Sequence, residues 1–301
     1  MRRPSPLPHG LQHGPFSTND ARDAGVGRQR TRSDTLQSPY FAVRTHRRPE
    51  STQERAEAYA MWMQPTQFFS HLTAAELLAL RMPEGFRPVP LHVSSAPPAR
   101  APRSRGVVGH QCSLTTEPLR VGRLLVAGPI DTWLSLGSVL SVDDLVVMGD
   151  GLVSRFGAVA DMGTLTTAVH SFAGRRGFAR LATAMPQVRP NTDSARETML
   201  RLLAVRAGFP EPEINGVILN SFGATIAHGD LVFRAHRTIL EYDGGGHRTN
   251  ERQFQIDIAR LDELMEEGWR VIRVDKGVMS RRATLIGKIE TALTKGAWSR
   301  G

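Results

Sequence analysis

From Asp193 to Val274 the hydrophobic period of the chain changes in an order that leaves few folds open. The stretch "TDSARETMLRLLAVRAGF" carries Met199, Leu200, Leu202, Leu203 and Val205 at helical spacing, with Thr192 or Asp193 as N-cap, and it ends at Gly208-Phe209-Pro210. Three β-rich runs follow, "INGVILNSF", "ATIAHGDLVF" and "RTILEYDG". A second helix is expected over about Glu251 to Glu267, closed by Gly268. "WRVIRV" then supplies another strand, and Met279 to Leu293 a last helix. The order α-β-β-β-α-β-α predicts antiparallel neighbours first, then a crossover helix to one more strand, which is a mixed sheet flanked by helices.

The rest of the chain is less regular. At 301 residues it is long enough for two or three modest domains, and three segments differ in character: 1–50, 51–185 and 186–301. The first holds nine arginines against Asp20, Asp23, Asp34 and Glu50. Its opening reads as a loose tail. In "STNDARDAGVGRQRTRSDTLQ", Ser17 and Asp20 are spaced as a capping box and Gly25 ends a first helix. A turn, a second helix and the β-prone "SPYFAVRT" complete the order of a small winged helix-turn-helix. Arg28, Arg30 and Arg32 could then face a DNA groove, or the segment is a solvated basic arm. The middle segment mixes short helices and strands: "TAAELLAL" opens on the capping pair Thr73 and Glu76, and "VPLHV" and "LRVGRLLVA" read as strands. Asp143, Asp144 and Asp150 invite a metal, but Ser141 with Asp144 has capping spacing and helix starts attract acids. The predicted class is therefore α/β (α+β).

Charge and cysteine content narrow the function. The net charge is +9, and only Lys276, Lys288 and Lys295 among the basic residues are not arginine. Arginine forks grip phosphates and base edges, which suits nucleic acid, although GC-rich coding gives the same bias. Cys112 is the single cysteine, which excludes an intramolecular disulfide and a cysteine zinc cluster and fits a reducing cytoplasm. The N-terminal "MRRPSPLPHGLQHGPF" lacks the apolar core of a signal peptide. The most apolar stretch, Leu124 to Met148, is broken by Pro129, Asp131, Asp143 and Asp144, so no membrane span is expected.

The chemistry concentrates where "ILEYD" ends. Side chains alternate along a strand, so Glu241 and Asp243 share one face while Leu240 and Tyr242 pack on the other. A turn through Arg234, Ala235 and His236 would bring Asp230 beside Glu241. Three carboxylates so placed repel one another unless a divalent cation neutralises them, and oxygen ligands suit Mg²⁺ or Mn²⁺ acting on a phosphodiester. Glu197, on the preceding helix, could add a fourth acid from the side or pair with Arg201 at i, i+4. His247, four residues past Asp243, could polarise water or contact phosphate. Asp257 and Arg260 are spaced to pair on one helix face, with Arg260 also able to reach back to the carboxylates. Gly244, Gly245 and Gly246 permit a close backbone approach or a sharp exit from the strand.

"SARETMLRLLAVRAGFPEPEIN", "GDLVF", "ILEYDGGGH" and "IDIARLDELMEEGWRVIRV" together resemble the endonuclease-like family related to the very short patch repair endonucleases, within the PD-(D/E)XK superfamily. Residues 16–45 resemble, more weakly, the winged-helix segment of AbiEi-type antitoxins. The resemblance implies a restriction-endonuclease-like core, Asp230 and Glu241 as metal ligands and Glu197 as the helix acid. Asp243 stands where the superfamily usually has lysine. A lysine would orient the attacking water, whereas an aspartate must bind metal or act as base. The expected function is metal-dependent hydrolysis of DNA in repair or phage defence. The alternative is a DNA-binding regulator or antitoxin-like protein with a degenerate nuclease domain. DNA is the expected partner, and a homodimer and a toxin–antitoxin or defence-system partner are both compatible with this reading.

Overall fold

The computed structural model describes residues 5–83, 90–244 and 251–296, with side chains of 251–255 left aside. The chain forms two compact units, Met1–Ser141 with Thr164–Thr183, and Val142–Gly163 with Ala184–Gly301. Helices and strands are mixed in each, and the two larger sheets combine parallel with antiparallel pairs. Among the described residues no helix is long and apolar enough to cross a membrane.

The first unit opens with β1 (Phe16–Ser17), α1 (Thr18–Asp23), α2 (Arg28–Thr31) and β2 (Val43–Arg44). The Ser17–Asp20 capping box forms, and Leu7, Leu11, Phe16, Ala21 and Leu36 close a small core. The arginine-rich second helix is a single turn, because the Thr31 hydroxyl bonds back to the Arg28 carbonyl and the chain turns at Ser33. Arg28 and Arg32 are exposed, whereas Arg30 is tied to the Ser5 carbonyl at 2.7 Å and to the Thr35 hydroxyl at 3.2 Å.

Next come α3 (Thr52–Ala60), β3 (Gln67–Phe69), α4 (His71–Leu77), β4 (Leu91–Ser95), β5 (Val107–Gln111), β6 (Leu119–Val121), β7 (Leu124–Val126) and α5 (Pro129–Leu136). The strands order as β5-β4-β3-β7-β6. Phe68 and Phe69 of β3, Leu91 and Val93 of β4, and Leu124 and Val126 of β7 pack into one core with Val43, Ala56 and Tyr59. The expected Thr73–Glu76 capping box does not form. The helix starts three residues earlier than that box requires, at His71 with Ser70 as N-cap, and the Thr73 hydroxyl instead accepts the His92 backbone N–H at 2.8 Å while Glu76 accepts from the Thr52 hydroxyl at 2.9 Å. A strand packed against the helix supplied better partners than the helix's own first turn.

Gly109 of β5 lies under the Pro102 backbone, and a Cβ there would stand 1.9 Å from the Pro102 carbonyl oxygen. Gly109→Ala is therefore expected to lose about 1–3 kcal/mol or more of stability, read as a lower midpoint in thermal unfolding.

Of the three helices that follow, α6 (Val142–Leu152) belongs to the second unit and α7 (Met162–Ser171) and α8 (Phe178–Ala184) mainly to the first. The second unit continues through α9 (Ala195–Arg206), β8 (Glu213–Leu219), β9 (Thr225–Phe233), β10 (Thr238–Tyr242), α10 (Glu251–Glu266), β11 (Arg270–Val274), α11 (Lys276–Ser280) and α12 (Arg282–Lys295). The strand order is β11-β10-β9-β8, antiparallel except for the parallel pair β10–β11. One face carries Leu231, Phe233, Leu240 and Val274 against Leu200 and Ala204 of α9 and Leu285, Ile289 and Leu293 of α12. The other packs Val232 and Ile239 against Leu264 of α10.

Candidate functional site

In the second unit, acids from three separate elements meet near one end of the sheet. The hairpin between β9 and β10 turns through a 3-10 segment, Arg234–His236, and Arg237 in the left-handed region at φ 43°. This fixes Leu231 opposite Leu240. One further step of the same register sets Asp230 across from Glu241. Alternation then decides the faces: Leu240 and Tyr242 pack toward α9 and α12, and Ile239 packs toward α10. Glu241 shares the Ile239 face, and there it meets Arg260 of α10 at 3.0 Å. Arg260 thus reaches back to the strand carboxylate.

Glu197 enters from α9. The N-cap of that helix is Ser194, not Thr192 or Asp193; its hydroxyl accepts the Glu197 N–H at 3.1 Å. Asp193 is drawn off by an ion pair with Arg155. The Glu197 carboxylate, buried at 6% exposure, accepts the Asp193 backbone N–H at 2.8 Å and the Asn215 side-chain amide at 3.3 Å. Its expected partner Arg201 turns instead to Asp150, at 3.0 Å. Asn215, a neighbour that the strand pattern alone did not single out, adopts φ 50° on β8, a conformation asparagine tolerates better than most residues.

Electrostatics joins these groups. Asp230 has its proton affinity pushed up to about 6, first by burial and then by the negative charges of Glu197 and Glu241; the Tyr242 N–H, donated at 2.7 Å, and the Arg260 charge pull the other way. One oxygen of Glu241, Oε1, is buried and has no hydrogen-bond partner among the described residues. Among the described residues, no three carboxylates bring oxygens within 4.8 Å of one another, so Asp230, Glu241 and Asp243 do not close into a three-acid clamp. The reasons are local. Asp230 is held by the Tyr242 N–H, Glu241 is held by Arg260, and Asp243 follows the end of β10 with its own N–H bonded to the Val274 carbonyl at 2.9 Å. Gly245, Gly246 and His247 lie outside the described residues.

A raised carboxyl pKa has a signed consequence. Between the ordinary 3.8 and about 6 the folded protein keeps a proton on Asp230 that the unfolded chain has lost, so stability falls as pH rises through this window. In protein kept free of divalent ions, that loss is expected to be roughly 2–3 kcal/mol. Urea unfolding of Asp230→Asn across the same range should show it flattened, since Glu197, Glu241, Arg155 and Arg260 remain to set the background. An unchanged pH profile would mean that Asp230 titrates normally.

Basic residues stand nearby in the same unit. Arg270, Arg273, Lys288 and Lys295 line an open groove along β11 and α12.

The first unit holds a second constellation, one that spacing in the sequence did not reveal. His71 at the start of α4, His92 of β4 and His110 of β5 each place a ring nitrogen within 4.8 Å of the others. His92 Nδ1 and His110 Nε2 are 3.0 Å apart, and the three rings stack with centroids 3.8, 5.1 and 5.6 Å apart. Burial and the neighbouring rings push His71 down to about 3 and His92 to about 4, and burial lowers His110 as well. The only sequence signal was that His92 lies in the strand-like run "VPLHV".

Compared with family models, with curated proteins and with solved structures, the chain has no match.

Proposed function

We propose that the second unit is a metal-dependent endonuclease acting on DNA, built on a restriction-endonuclease-like α-β-β-β-α-β core. The observation that carries this reading is the meeting of Glu197, Asp230 and Glu241, from α9, β9 and β10, in a partly dry site where Asp230 holds its proton too tightly and one Glu241 oxygen has no hydrogen-bond partner among the described residues. A structural role does not call for acids assembled at such electrostatic cost.

The donor set fits Mg²⁺ or Mn²⁺ in part. Such ions need only one or two carboxylates beside water and phosphate oxygens, so Asp230 and Glu241 suffice without a third acid. When bound, the ion would supply Lewis acidity at the phosphate and at the leaving oxygen. Glu197 would orient the site through Asn215, which it already engages. Asp243, in the position where lysine is usual, would serve as a proton acceptor at the strand end. Arg260 would compensate charge on Glu241 in the absence of metal and be free to meet a substrate phosphate in its presence. The groove lined by Arg270, Arg273, Lys288 and Lys295 offers the positive field that a DNA backbone requires.

The test is cleavage of supercoiled plasmid and of single-stranded DNA with Mg²⁺, Mn²⁺ or EDTA. Cutting with metal and none with EDTA is expected. The Arg260–Glu241 ion pair favours one competing reading, a DNA-binding regulator in which arginine permanently neutralises the strand acid. Salt-sensitive DNA binding without cleavage under either metal would select it.

A further inference from the structure

We propose that His71, His92 and His110 form a binding site for a single transition-metal ion, Zn²⁺ in the first instance, in the first unit and apart from the acidic site. The inference stands on geometry. Adjacent parallel strands set Ser94 opposite His110, and His92 lies two residues before Ser94 on the same face of β4. His71 is brought over them from the first position of α4.

Two features of this placement point to a metal rather than to packing alone. Nitrogens sharing one tetrahedral zinc at about 2.0–2.1 Å stand ~3.3 Å apart, and the hydrogen bond between His92 Nδ1 and His110 Nε2 already holds two donors at 3.0 Å, where an ion could replace the shared proton. Second, His71 is built like a ligand with its outer support in place. Its Nδ1 lies 3.0 Å from the Ser70 hydroxyl, which itself accepts from the Ser94 hydroxyl at 2.7 Å. With Nδ1 as the N–H donated to that hydroxyl, Nε2 is left to face a metal, the usual way a ligating histidine is fixed. To reach this position His71 adopts φ 50°, a left-handed conformation costly for a residue other than glycine. The local fold sustains that strain to aim the ring.

The donor chemistry selects the ion. Three imidazoles and no carboxylate make a nitrogen set that suits zinc and its neighbours and is unsuited to Mg²⁺. Three protein ligands leave a fourth position to water or a small anion, the pattern of an open zinc site. Cys112, two residues past His110, is not one of the three converging groups.

The experiment uses the full-length protein, stripped with chelator and titrated with Zn²⁺ against a chromophoric competitor, then loaded with Co²⁺ for its absorption spectrum. One equivalent of Zn²⁺ is expected, with an intense tetrahedral Co²⁺ spectrum. His92→Ala and His110→Ala should weaken binding by at least ~10-fold, whereas His228→Ala, at an exposed histidine of β9, should leave it unchanged. A readout that needs no variant is acylation of histidines followed by peptide mass spectrometry: Zn²⁺ should protect His71, His92 and His110. The proposal is overturned if the wild type takes up no stoichiometric zinc, if uptake survives both histidine changes, or if zinc leaves the acylation of these three residues unaltered.

Discussion

Replacing Glu241 by glutamine is expected to reduce metal-dependent DNA cleavage by about 10²–10³-fold. The change conserves shape but removes the charge that a divalent ion would meet, and a Lewis-acid contribution of several kcal/mol at roughly 1.4 kcal/mol per decade gives that range. Glu241 is the informative choice because its two oxygens are distinguished. Oε2 is engaged by Arg260, while Oε1 is buried with no partner among the described residues. Glutamine would also leave Arg260 facing a neutral group, so thermal unfolding must accompany the assay to separate lost chemistry from lost fold. Arg260→Gln offers the converse. If Arg260 only neutralises the acid, its removal should leave cleavage within a few-fold; if it contacts substrate, the apparent DNA affinity should drop with it. Asp243→Ala asks whether the acid beyond the end of β10 takes part, and retained activity there would restrict the machinery to Glu197, Asp230 and Glu241. Undiminished cleavage by Glu241→Gln would remove the carboxylate site from the mechanism altogether.

The second unit was largely legible in the sequence because its signals are local. The periodicity of 192–209 and the alternation in "RTILEYD" mark α9 and β10, and the observed bounds lie within a few residues of those expected. Facing was legible too, since Leu240 and Tyr242 do pack with α9 and α12. What the pattern could not carry was partner choice over long separations. Arg201 was four residues from Glu197 but bonded to Asp150, 51 positions away, because Glu197 is held by the Asp193 N–H and the Asn215 amide while a buried arginine needs a buried acid beside it, which α6 supplies. The histidine cluster failed for the same reason. His92 and His110 are separated by 18 positions, and only the parallel pairing of β4 with β5 makes them neighbours. Even the short Thr73–Glu76 motif was overruled once a strand and another helix offered bonds to both side chains.

The buried pair Asp150–Arg201 sets the largest expected effect on stability. Asp150 is fully buried on α6 and Arg201 is 1% exposed on α9. Asp150 accepts from the Arg189 backbone N–H at 2.7 Å, the Thr198 hydroxyl at 2.8 Å and Arg201 at 3.0 Å, while Arg201 also donates to the Gln187 carbonyl at 2.8 Å and to Glu211 at 3.3 Å. Burial nonetheless pushes the Asp150 carboxyl up by more than Arg201 and these donors pull it down. Desolvation therefore opposes the charge pair, and its stability rests on the bonds around it, which satisfy both Asp150 oxygens and leave Arg201 Nε without a partner among the described residues. Removing one member strands the other in a dry interior, so Asp150→Ala and Arg201→Ala are each expected to cost about 3–5 kcal/mol, against a total of roughly 5–15 kcal/mol for a protein of this kind. Replacing both with leucine should cost far less than the sum, because no unpaired charge remains. Asp150→Asn, which keeps one side-chain oxygen to accept the Arg189 N–H but puts an amide NH2 where Oδ2 accepts from Thr198 and Arg201, should fall between. Urea unfolding midpoints of the single and double variants provide the cycle. Additive losses, or single losses below about 1 kcal/mol, would show that α6 and α9 are held by their apolar contacts and that this polar cluster is incidental to the fold.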